Sequence, residues 1–148
     1  MDTIFSYINV ELERIHENAI IPSRANEFAA GADLYSIEDV SLRPGDLKFL
    51  RTGWKMSVPE GCYIEVYNRS GMAAKRELLI VSSCVIDSDY RGEVFIPMKN
   101  IGKNLQIIKK GDRIAQMIVK FIIYTKFEEV DKLQDTERGD GGFGSTGK

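Results

Sequence analysis

The run VIDSDYRGEV, Val85 to Val94, sets two carboxylates and a tyrosine beside a strand-like segment. On an extended strand Asp87 and Asp89 would share one face and Tyr90 would point the other way. Spacing alone favours a plainer reading, a hairpin turn rich in Asp and Gly. A second candidate begins at Glu137, where the sequence reads ERGDGGFGSTGK, with five glycines, no aliphatic side chain and one phenylalanine. That stretch cannot build a core and is expected to form a flexible arm. It nevertheless carries an arginine, an aromatic ring and two hydroxyls, which are the groups that together hold a phosphate and a base. Gly139 to Thr146 is not a P-loop, because the lysine before the hydroxyl residue is missing and too few residues follow for a helix. Its glycine N–H groups could still wrap phosphate oxygens, with Ser145 and Thr146 adding hydroxyls.

The elements that must position these groups read as strands. Apolar residues alternate at Ile8, Val10 and Leu12, at Trp54, Met56 and Val58, and at Ile64 and Val66. Turn signals recur between them as RPGD (Arg43 to Asp46), VPEG (Val58 to Gly61) and KKGD (Lys109 to Asp112). Many short antiparallel strands follow, in a barrel or sandwich. One helix is predicted over Ser70 to Leu79, where a serine precedes good helix formers. Pro97 predicts an edge or a bulge for its strand, because proline has no N–H for a ladder. No internal repeat is present.

The chain has 148 residues, 43% of them hydrophobic, which suits one ordinary core and a single domain. Lys plus Arg number 20 against 22 for Asp plus Glu, so no basic field of the kind that draws a protein onto nucleic acid is expected. A polyanionic ligand would have to be held by local groups. The opening MDTIFSYINVELERI has no basic flank before an apolar run, so neither a signal nor a transit peptide is expected. No apolar run approaches the ~20 residues of a membrane span. Cys62 and Cys84 lack metal-type spacing and sit among strand-like residues, which fits a reducing, cytoplasmic setting. His16 is far in sequence from every run named above and reads as a surface residue, and no zinc site is suggested.

Taken together, the runs resemble the trimeric dUTPase family, whose members carry five short motifs in fixed order along an all-β chain of about this length. The motifs are AGADLYS (Ala30 to Ser36), NRSGMA (Asn68 to Ala73), CVIDSDYRGEV from Cys84, GDRIAQMI (Gly111 to Ile118) and RGDGGFGSTG (Arg138 to Gly147). Any one alone is a weak match; five in order are not an accident. The resemblance implies a single-domain β-barrel or distorted jelly roll of short antiparallel strands over residues 1–136, with one short helix. Residues 137–148 would be an arm that closes over a neighbouring subunit's site. It implies a homotrimer with shared sites, Mg²⁺ as cofactor, and hydrolysis of dUTP to dUMP and pyrophosphate. The location implied is the cytoplasm, or the host's if the source is a virus or phage.

By the same resemblance, Asp87 is the general base for the attacking water, a task that suits a carboxylate because it is ionised near neutral pH. Tyr90 packs under the deoxyribose and leaves no space for a 2′-hydroxyl. Arg69, Ser70 and Gly71 hold the phosphate chain, and Gln116 binds phosphate or a metal-bound water, with Arg113 beside it as a structural ion-pair residue. Ser82, Val85 and Ile86 belong to the hairpin whose backbone reads uracil. Asp33 lies near the metal through water, the ion itself being held mainly by phosphates. Arg138 reaches the γ-phosphate, Phe143 stacks on uracil, and Gly144, Ser145 and Thr146 close on the triphosphate.

Three positions depart from the pattern. Asn68 stands where the second motif usually opens with proline, Cys84 where glycine is common before VID, and Val81 where asparagine is often found. A buried strand thiol is usually inert, so Cys84 is not read as a nucleophile. Trp54 and the group Phe121, Tyr124 and Phe127 read as core and subunit contacts. Two rivals share the fold: a dCTP deaminase-like enzyme, and a catalytically idle trimer that binds nucleotide or a partner. The VIDSDY setting and the phenylalanine-bearing arm argue against the first, and the intact Asp87, Tyr90 and arm against the second.

Overall fold

Alternating apolar residues fold here as ten strands around one buried layer. The computed structural model describes residues 7–82, 84–142 and 144. In chain order they form β1 (Glu11–Arg14), β2 (Ala32–Tyr35), β3 (Val40–Leu42), β4 (Leu47–Ser57), β5 (Cys62–Tyr67), α1 (Ser70–Arg76), β6 (Leu78–Ile80), β7 (Cys84–Ile86), β8 (Glu93–Asn100), β9 (Gln106–Ile108) and β10 (Arg113–Phe121). Every pairing is antiparallel. Two four-stranded sheets run β1-β4-β8-β6 and β2-β10-β5-β7, and β3 pairs with β9. The class is all-β as expected, built as separate sheets with no ladder closed on itself among the described residues.

The core lies between the sheets. Leu34, Leu50, Ile64, Ile96, Met98 and Ile114 are each no more than 1% exposed. They are the inward members of period-2 patterns on five strands, and each such side chain contributes about 1.5–3 kcal/mol by leaving water. Trp54 belongs to this core: its indole N–H donates to the Ile20 carbonyl at 2.8 Å, and the Arg14 guanidinium lies 4.5 Å from the ring centre. The three turn signals form turns, with Asp46 N donating to Arg43 O, Cys62 N to Pro59 O and Asp112 N to Lys109 O. In RPGD and KKGD the aspartate side chain also accepts from the backbone three residues back, at 2.9 Å in both.

Two expectations are corrected. The helix ends at Arg76, not Leu79, because Glu77 turns left-handed (φ 52°) and Leu78, fully buried, opens a strand paired with Asn100. Of the two places expected for Pro97 the edge is excluded, since β8 lies between β4 and β6, while the β4–β8 ladder does shift register just before it, between Phe95 and Glu93. The Pro97 carbonyl accepts from Val81 N, just past the end of β6. N and C=O of one strand residue point to the same side, so the missing donor falls where β6 has already stopped. Beyond β10, residues 122–142 lie outside any helix or strand, Ile122 N donating to Gly61 O at 2.8 Å.

Candidate active site

One group of site residues is gathered by β2, β10 and the turn that leaves β5. Register places Gln116 of β10 opposite both Asp33 of β2 and Tyr67 of β5. The chain then passes through Asn68 and Arg69 into α1, so Asp33, Arg69, Ser70, Gly71, Arg113 and Gln116 border one cavity of about 700 Å³. Asp33 is only 9% exposed. A buried carboxylate needs partners, and it has two: Arg69 Nε donates to Oδ1 at 2.8 Å, and Arg113 Nη1 stands 3.5 Å from Oδ2. Arg113 is thus the ion-pair residue that was expected. Among the described residues Arg69 Nη2 has no hydrogen-bond partner, which leaves donor capacity on a residue that lines the cavity.

Gln116 is fixed at both ends of its amide. Nε2 donates to the Asn68 carbonyl at 2.9 Å, while Oε1 lies so close to Gly31 that a Cβ there would stand 2.6 Å away. Asn68 accounts for its own departure from proline, because its Oδ1 accepts from Ile80 N at 2.7 Å and so restrains the approach to Arg69 by a hydrogen bond in place of a ring. Sequence reasoning missed this role of Asn68. Its partner is twelve residues away, beyond the reach of any local pattern.

The other group lies along β7 and the turn that joins it to the start of β8. Asp87 follows the last residue of β7, and Tyr90 N donates to Asp87 O at 3.1 Å, so the turn reading holds and the two aspartates do not share a strand face. Cys84, Val85, Ile86, Asp87, Tyr90 and Phe95 help to line a cavity of about 200 Å³. Because β7 is the edge of its sheet, one row of its backbone groups is left unpaired by that sheet. Ser82 lines a neighbouring cavity of about 400 Å³, with Cys84 and Val85 common to both. Burial pushes the Cys84 thiol above its usual range, which argues against a nucleophile.

Glu93, not singled out in the sequence, anchors this corner. Its carboxylate accepts from Arg51 Nε at 3.1 Å and from Gly53 N at 3.0 Å. Gly53 sits at φ 74° in an irregular stretch of β4, and a Cβ there would stand 2.8 Å from that of Ala19. No residue with a side chain fits that turn without strain.

The cavity that Asp87 lines and the cavity that Arg69 lines share no residue. Arg138 Nε donates to Gly141 O at 2.8 Å within its own turn, and neither Arg138 nor Gly144 lines either cavity. Phe143, Ser145 and Thr146 lie outside the described residues. Among the described residues no group of three or more His, Cys, Asp or Glu side chains could hold a metal ion. That donor set offers no protein cage, and it fits Mg²⁺ only as an ion carried mainly on ligand phosphates and water.

Comparison with known proteins bears on this geometry. The dUTPase family profile matches residues 17–147. The chain is similar to human mitochondrial deoxyuridine 5′-triphosphate nucleotidohydrolase, 47% identical over 141 residues that cover 95% of this chain and 56% of that protein. It therefore spans little more than half of the human relative's length. Among solved structures it is similar to the Staphylococcus bacteriophage 80alpha dUTPase with dUPNHPP, at TM-score 0.88 and 28% identity, covering 95% of this chain and 99% of that one. A mutant dUTPase from phage phi11 of S. aureus is similar at TM-score 0.80 and 25% identity, covering 86% and 99%, and its structure concerns the coordination of a structural Mg(II) ion.

Proposed function

Because this chain belongs to the dUTPase family, we propose that it hydrolyses dUTP to dUMP and pyrophosphate, using the two cavities as complementary halves of one site. A water oxygen bonds to the α-phosphorus as the bond from that phosphorus to the α–β bridging oxygen breaks. Asp87 takes the water's proton, and pyrophosphate leaves with the bridging oxygen. Tyr90 lies beside Asp87 and excludes a 2′-hydroxyl, while backbone groups around Ser82, Val85 and Ile86 read the uracil. Arg69, Ser70, Gly71 and Gln116 hold the triphosphate, where charge-assisted hydrogen bonds strengthen as negative charge builds on the leaving group. Magnesium, when bound, neutralises charge on the triphosphate, and Asp33 would hold one of its waters.

The observation that carries this reading is the separation of the Asp87 and Arg69 cavities within one chain. In this reading copies combine to complete a site, and a homotrimer with shared sites is part of the proposal. The arm of residues 137–148 then closes over a neighbour, with Arg138, Phe143, Gly144, Ser145 and Thr146 on the nucleotide. No helix among the described residues is long and apolar enough to cross a membrane. We place the protein in the cytoplasm, acting without a nucleic-acid partner.

The test is pyrophosphate release from dUTP, dCTP, dTTP and UTP with magnesium, read alongside ammonia. Release from dUTP alone is expected. Release from none would overturn the proposal, and ammonia from dCTP would replace it with deamination.

A further inference from the structure

Tyr90 owes its pose to a residue with no side chain. The ring folds back over Gly92, where an added Cβ would stand 2.5 Å from the tyrosine Cζ, closer still to its Oη, and 3.0 Å from Cε2. Real Cβ atoms essentially never come that near, and a planar ring on two torsions cannot yield locally; it would have to leave. At the same end the ring is tethered, for the hydroxyl donates to the Glu93 carbonyl at 3.1 Å. The Glu93 side chain is in turn held by Arg51 and by Gly53 N across the sheet, which restrains the residue that carries this carbonyl. The hydroxyl end of the ring is therefore set by a missing methyl group and by the acceptor beside it.

We propose that Gly92 is a specificity-determining residue: by leaving room for the Tyr90 ring against its own turn, it sets the depth at which that ring admits a deoxyribose and excludes a 2′-hydroxyl. Glu93, tied to Arg51, is the positioning residue that holds the pose. This rests on the reading of Tyr90 as the sugar filter. Telling two sugars apart by one oxygen atom leaves little tolerance in where the ring stands, so a displacement too small to disturb the fold is enough to blunt the choice.

The experiment measures kcat/KM for dUTP and for UTP in the full chain carrying Gly92→Ala, Tyr90→Ala, and both. Each single change is expected to raise the UTP to dUTP ratio by roughly tenfold or more. The double variant should be no less selective than Tyr90→Ala alone, because Gly92 acts only through the ring. A merely structural loss would lower both substrates alike and leave the ratio in place. If Tyr90→Ala relaxes selectivity and Gly92→Ala does not, Gly92 is overturned while the filter stands; if Tyr90→Ala leaves the ratio unchanged, filter and proposal fall together. An additive double variant overturns the proposal too, since Gly92 would then act without Tyr90. Should Gly92→Ala fail to fold, Tyr90→Phe removes the hydroxyl bond to Glu93 without adding bulk. Its ratio is expected to rise about threefold, and an unchanged ratio would overturn the role of Glu93 and with it the proposal.

Discussion

Asp87 stands at the end of a strand, exposed, at the start of a turn closed by the Tyr90 N–H. Such a group can be changed with little effect on folding, because its side chain is not part of the core. Asp87→Asn is accordingly expected to lower turnover by about 10² to 10⁴ while nucleotide binding, measured by calorimetry with a non-hydrolysable analogue, stays close to that of the parent. Unchanged turnover would remove Asp87 from the mechanism. Asp87, Tyr90, Arg69 and Gln116 were legible in the sequence only through the resemblance, because the short runs that carry them occur together in the family's order. What fixes their orientation was not. Gln116 depends on the Asn68 carbonyl and on the missing side chain of Gly31, and the Tyr90 corner on Arg51, 42 residues from Glu93. Those partners meet only once the strands have paired.

Between elements, the boundary of α1 shows how tertiary burial outweighs propensity. Lys75, Arg76, Glu77, Leu78 and Leu79 are all good helix formers, yet Leu78 is wholly buried as a strand residue and Glu77 bears the left-handed turn that makes this possible. Replacing Glu77 by glycine removes that backbone strain, and is expected to stabilise the fold by about 0.5 kcal/mol, read as a higher urea midpoint. Loss of stability would mean that the Glu77 side chain, packed over Gly102, contributes more than the strain costs. Across β5 and β10, the Lys120 ammonium is 2.6 Å from Glu65 and holds its carboxyl below the usual range, with Tyr63 adding a hydrogen bond. The folded value lies below the unfolded one, so this contribution is present at neutral pH and is lost as pH falls through the depressed value. Glu65→Gln should therefore be less stable than the parent near pH 7 and equal to it in strong acid, as compared by urea midpoints at the two pH values. The strands themselves were legible because period 2 marks a buried face; the place of Pro97 in an interior strand was not, because it depends on where the neighbouring β6 stops.

For the whole molecule, the proposed reaction depends on what lies outside the two sheets. Truncation after Glu137 is expected to leave the circular dichroism spectrum and the sedimentation of the assembly unchanged while reducing dUTP hydrolysis by at least tenfold, as loss of a closing lid does. Loss of assembly would make the arm structural. The all-β class and the single core could be read from composition and alternation, whereas the sharing of sites between copies was implied only by the resemblance, since no local pattern records it. The stretch beyond β10 carries a consequence of its own. Arg138 stands 17 residues past Phe121, with no helix or strand between, which is a leash of about 60 Å at full extension. A leash of that kind holds its end at an effective concentration on the order of millimolar around any site it can reach. Closure would then be independent of dilution, and a chain whose own base is disabled could still lend its leash to another. Mixing Asp87→Asn chains with chains truncated after Glu137, under conditions that exchange subunits, should restore activity that neither shows alone; if none returns, each leash serves only the chain that carries it.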